Sequence, residues 1–108
     1  MTPEAKVKEK VKKALKNMGA YYAMPATGGY GSSGVPDFLV WYEGRFIGIE
    51  CKANGNTPTA LQMKNLRDIE SCKGVALVID ETNVHLTEQL IRLAIWMRMI
   101  WVFMVLLW

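Results

Sequence analysis

The chain has 108 residues, a net charge of +3, and 51% hydrophobic against 21% charged residues, enough for one domain with a modest core. Its two cysteines, Cys51 and Cys72, lie far apart behind no signal peptide. That fits a reducing cytoplasm better than a disulfide framework. With the single His85 they also make too poor a ligand set for structural zinc.

The first segment reads as a helix. Thr2 and Pro3 suit an N-cap and first helical position, Val7, Val11, Ala14, Leu15 and Met18 recur at helical spacing, and Gly19 ends the run. Lys6, Lys8, Lys10, Lys12, Lys13 and Lys16 crowd this helix, either as a solvated face or as a patch for phosphate. Glu4 lies one heptad before Val11 and so falls on the apolar stripe, whereas Glu9 points nearly the other way. An acid in the first turn also favours the helix dipole, so Glu4 has both a capping and a functional reading.

Ala20 to Met24 suits a short strand. ATGGYGSSG, Ala26 to Gly34, is a glycine loop without the Gly-Lys-Ser/Thr of a phosphate-binding P-loop. It reads as a connector, or as backbone able to approach a nucleic-acid phosphate with Tyr30 free to stack on a base.

GVPDFLVWYEGRFIGIECK, Gly34 to Lys52, carries the sharpest signal. Phe38 to Tyr42 and Phe46 to Cys51 are strand-like, and Glu43-Gly44 reads as a two-residue hairpin turn. A symmetric loop sets Tyr42 against Arg45, Val40 against Ile47, Phe38 against Ile49, and Asp37 against Glu50. Opposed residues share a sheet face, and Lys52 joins that face two residues beyond Glu50. Two facing carboxylates repel unless a hard divalent cation such as Mg²⁺ or Mn²⁺ lies between them; frayed, solvated strand ends are the alternative. A loop one residue longer would send the acids to opposite faces.

ANGNTP then turns into a second helix, with Thr57 as expected N-cap and Pro58 in the first turn; Gln62, Leu66 and Ile69 share its stripe. A buried glutamine needs partners, whether backbone or a polar site. VALVI, Val75 to Ile79, reads as a buried strand. Helix, strand, hairpin, helix, strand amounts to an α/β sandwich with a mixed central sheet flanked by helices. Residues 1–85 form this core, and 86–108 a separate apolar helix. LIRLAIWMRMIWVFMVLLW, Leu90 to Trp108, carries charge only at Arg92 and Arg98. A helix apolar all round must be covered by protein or lipid. Two arginines in a barely spanning window favour a homodimer over a membrane.

GVPD at Gly34–Asp37, IECK at Ile49–Lys52 and the downstream Gln62 together resemble the signature of PD-(D/E)XK nucleases. The pattern is most similar to the virus-type replication–repair nuclease domain (VRR-NUC), in its small, phage-type, single-domain form. The resemblance covers about Thr2 to Ile79 and implies a restriction-endonuclease-like core. It further implies a metal-dependent DNA endonuclease with Mg²⁺ or Mn²⁺ as cofactor. Asp37, Glu50 and the Cys51 carbonyl would be metal ligands, and Lys52 the catalytic lysine. Gln62 would support the site, while Glu4 would act through water or a second ion. Cleavage would leave a 5′-phosphate, and small relatives of this type look like paired nucleases for branched DNA such as four-way (Holliday) junctions. Lys6, Lys10, Lys13, Tyr30, Ser32, Ser33 and Arg45 are the expected DNA contacts, reading backbone shape rather than bases. The competing expectations are a non-catalytic DNA-binding module and a membrane-tethered protein whose last helix inserts in lipid.

Overall fold

The computed structural model describes residues 1–26 and 34–107. Helix α1 spans Pro3–Met18. The Thr2 side chain accepts from the Ala5 N–H at 3.1 Å, and Gly19 closes the helix in the left-handed region at φ 72°. Val7, Val11 and Leu15 form its buried stripe.

Four strands follow: β1 (Tyr21–Ala23), β2 (Phe38–Tyr42), β3 (Arg45–Cys51) and β4 (Val75–Ile79), in the spatial order β1-β2-β3-β4. The first two pairings are antiparallel and β3–β4 is parallel, so the sheet is mixed. The parallel step is bridged by α2 (Ala60–Ser71), as a crossover requires. In the β2–β3 hairpin, Tyr42 opposes Arg45, Val40 opposes Ile47 and Phe38 opposes Ile49, the even register expected from the sequence. Both turn residues have positive φ, 49° at Glu43 and 75° at Gly44. That pair of left-handed conformations matches the natural twist of the strands it joins.

The register sorts the side chains. Phe38, Val40, Ile47, Ile49 and Cys51 face α1 and belong to one buried cluster with Val7, Val11 and Leu15. Gly48 lies on the other face, where α2 packs; a Cβ there would fall 2.5 Å from Ile69 Cδ1. The start of α2 differs from expectation. Its N-cap is Thr59, not Thr57, and Pro58 precedes the helix. Gln62, three residues on from Thr59, can reach back to the capping backbone; the residue three on from Thr57 is Ala60, which cannot.

After a 3₁₀ turn, Val84–Leu86, helix α3 runs Thr87–Leu107, about 31 Å at 1.5 Å per residue. Its first half is docked, with Ile91 and Ile95 buried in the core, and just past the midpoint Arg98 Nη2 donates to the Glu70 carbonyl of α2 at 3.2 Å. Apart from Arg98, the helix from Trp96 onward is apolar and largely uncovered, with Trp96, Met97, Trp101, Phe103 and Leu106 all exposed. Val84–Leu107 is long and apolar enough to cross a membrane, with a mean hydropathy of 2.0 over an 18-residue window within it.

Candidate functional site

Asp37 leads directly into β2, and Glu50 sits one residue before the end of β3. Continuing the ladder by one pair beyond Phe38–Ile49 sets these two acids side by side on the face that carries Gly48. Glu50 is 3% exposed, and its Oε2 is buried with no hydrogen-bond partner among the described residues. Its Oε1 lies 3.9 Å from Lys52 Nζ. Asp37 is better served: its Oδ2 accepts the Cys51 N–H at 2.8 Å, and its Oδ1 lies 3.3 Å from Lys8 Nζ.

The backbone explains how the acids are held. Gly34, at φ 80°, rests directly on α2, where a Cβ would lie 2.8 Å from Leu61 Cγ and 2.9 Å from the Leu61 carbonyl carbon. Only glycine permits that approach, and the buried Pro36 then feeds Asp37 into the sheet at a fixed height. On the facing strand, the Lys52 N–H donates to the Ile79 carbonyl at 2.9 Å, extending the parallel ladder past Glu50.

Electrostatics mark the pair as strained. Burial, then the charge of Asp37 and hydrogen bonding with it, push the Glu50 carboxyl up to about 8, against a smaller opposing pull from Lys52. Burial and the same acids push the Cys51 thiol up as well, so its side chain is an inert core group. Burial pulls the Lys8 ammonium down, yet Asp37 and Glu4 outweigh it and hold it above its ordinary value.

The donor set fits a hard cation. A buried, unpartnered carboxylate oxygen beside a second carboxylate is costly alone and becomes favourable around a divalent ion. Among the described residues no group of three or more His, Cys, Asp or Glu side chains converges. Mg²⁺ characteristically binds through one or two carboxylates and keeps waters for substrate phosphates, so Asp37 and Glu50 suffice.

The other expected residues are placed unevenly. Glu4 is half-buried; its carboxylate lies 3.7 Å from Lys8 Nζ, and its charge adds to the push on Glu50. Gln62 Oε1 accepts the Thr59 N–H at 2.9 Å, and no hydrogen bond joins Gln62 to either acid among the described residues. Lys10 and Lys13 line a surface cleft of about 420 Å³ with Glu81, His85 and Glu88. Lys6 shares their stripe, almost opposite Lys8 on the helix. Arg45 stands at the hairpin end of β3, roughly 17 Å from Glu50 at the rise of a strand. There it lines a cleft with Lys73, Arg98 and Phe103. Tyr30, Ser32 and Ser33 lie outside the described residues. Lys8 was hidden within the lysine run, although its i+4 spacing from Glu4 was a usable signal.

A search of solved structures returns a VRR_NUC domain with a TM-score of 0.70, 21% sequence identity, and coverage of 85% of this chain and 97% of that one. No family model matches the sequence. No curated protein matches it either. The fold is therefore VRR-NUC-like, while at this identity the likeness speaks for architecture rather than chemistry.

Proposed function

We propose that this chain is a Mg²⁺- or Mn²⁺-dependent DNA endonuclease that hydrolyses phosphodiester bonds, selective for branched DNA such as Holliday junctions in replication, recombination or repair. The observation that carries the reading is the Asp37–Glu50 pair, with its unpartnered buried oxygen and Lys52 alongside, on a VRR-NUC-like frame. Held by these two carboxylates, the ion would offset phosphate charge and lower the pKa of a water. Asp37 is preoriented for that task by the Cys51 N–H. Glu50 must release its proton to take part. Lys52 places an ammonium where charge develops on phosphorus, and also where an attacking water needs orienting. The Cys51 carbonyl is the third candidate protein ligand, and Glu4 acts at longer range. Gln62 supports the site indirectly, by fixing the start of α2.

The same reading makes the protein a homodimer paired through the second half of α3, so that two sites face a symmetric substrate. The exposed Trp96, Met97, Trp101, Phe103 and Leu106 support it. An alternative, a membrane-tethered protein, draws on the length and hydropathy of Val84–Leu107. Light scattering in detergent-free buffer, set beside membrane fractionation, separates the two.

The catalytic reading is tested on single-stranded, duplex, flap and four-way-junction DNA, with metal or with chelator. Cleavage that needs metal, favours the junction and disappears in a folded Asp37→Asn variant is the expected result. Salt-dependent binding without cleavage would instead make this a DNA-binding module on a nuclease scaffold.

A further inference from the structure

Lys8 belongs to none of the roles assigned above, yet its ammonium lies 3.3 Å from Asp37 Oδ1, an oxygen the proposed metal would need. Asp37 has two carboxylate oxygens. Oδ2 accepts the Cys51 N–H at 2.8 Å, which leaves Oδ1 for another partner. Lys8 Nζ lies 3.3 Å from Oδ1 and 3.7 Å from Glu4 Oε2, so one ammonium bridges the two acids from α1. The Lys8 side chain is only 30% exposed. Together with Lys52, 3.9 Å from Glu50 Oε1, it gives the acid pair one cation on each side.

We infer that Lys8 is a built-in counter-ion of the metal site, occupying Asp37 Oδ1 until a divalent cation displaces it. The inference rests on the reading of Asp37 and Glu50 as metal ligands. A metal bound to Oδ1 and an ammonium 3.3 Å from the same atom are like charges competing for one carboxylate, and the doubly charged ion with shorter contacts prevails. While the site lacks metal, the ammonium limits the repulsion between Asp37 and Glu50 that burial would otherwise amplify. Glu4, one helical turn before Lys8, keeps the displaced ammonium at the mouth of the site. Lys8 is thus a positioning residue: it tunes how readily the site loads rather than acting on the reacting atoms.

The test is Mn²⁺ binding to full-length protein without DNA, followed by calorimetry and by loss of the free-ion paramagnetic resonance signal. Lys8→Met keeps the length of the side chain and removes its charge, and is expected to bind Mn²⁺ about tenfold more tightly. Lys8→Arg keeps the charge and should stay within about twofold of the parent, an outcome that separates electrostatics from helix packing. Circular dichroism establishes that each variant is folded. Equal or weaker binding by Lys8→Met, with Asp37→Asn abolishing binding in parallel, overturns the counter-ion role and leaves the nuclease reading standing. Absence of Mn²⁺ binding by the parent, or undiminished binding by Asp37→Asn, overturns both.

Discussion

Glu50→Gln exposes the tension at the site most directly. Glu50 is 3% exposed, and its carboxyl is raised from an ordinary 4.5 to about 8 by burial and by Asp37. Below pH 4.5 the group is protonated in both folded and unfolded chains and leaves stability unchanged. Between 4.5 and about 8 the folded protein holds a proton that the unfolded chain has released, so stability falls as pH rises. At 1.36 kcal/mol for each pH unit the upper limit is on the order of 5 kcal/mol, and solvent screening with local relaxation reduces the loss to roughly 2–3 kcal/mol. For a domain of this size that lowers Tm by roughly 10–20 °C between about pH 5 and pH 9. Glutamine mimics the protonated acid and does not titrate. In chelator, Glu50→Gln should therefore lose the steep pH dependence and outlast the parent at alkaline pH. Adding Mg²⁺ should raise the parent's Tm and leave the variant's unchanged. Thermal unfolding followed by far-ultraviolet circular dichroism reads all of this. A parent Tm that stays flat from about pH 5 to pH 9, or a variant less stable at every pH, would refute the reasoning.

Gly34→Ala should cost about 1–3 kcal/mol, because a side chain at φ 80° is strained and its Cβ would press on Leu61 and Asn65; urea denaturation measures the loss. Thr59→Ala removes one half of the α2 capping box and should cost about 1 kcal/mol by the same measurement, with little effect on Mn²⁺ affinity. Trp101→Glu, on the uncovered half of α3, should yield a monomer by light scattering with far-ultraviolet circular dichroism unchanged; a dimer that persists would place the interface elsewhere.

The hairpin was the most legible part of the sequence, because a two-residue turn and a period-two pattern leave one register that buries Phe38, Val40, Ile47 and Ile49 together. Once that register is fixed, the neighbourhood of Asp37 and Glu50 follows with no knowledge of the rest of the fold. The ends of α1 were equally readable, since Thr2, Pro3 and Gly19 each act through local backbone geometry. Longer-range facts were not. Thr57 and Thr59 are both plausible caps in isolation, and the reciprocal reach of Gln62 decides between them. That same contact gives Gln62 a backbone partner, one of the two kinds of partner its place on the stripe called for. Glu4 is only half-buried, but its charge is felt at Glu50 and it pairs with Lys8, so it lies beside the site as the helical wheel implied. Lys8 meets Asp37 across 29 positions of sequence, a contact that no periodicity encodes. Arg45, expected as a DNA-backbone contact, stands at the hairpin end of β3, away from the acid pair.

The central claim is that Asp37 and Glu50 converge on one hard cation. Anomalous diffraction from crystals soaked in Mn²⁺ at mildly alkaline pH tests it in a single map. The account predicts one strong peak between the two carboxylates, touching Asp37 Oδ1 and Glu50 Oε2, with the Lys8 ammonium moved aside. A map with no peak there, or with Mn²⁺ bound only elsewhere on the molecule, would contradict it.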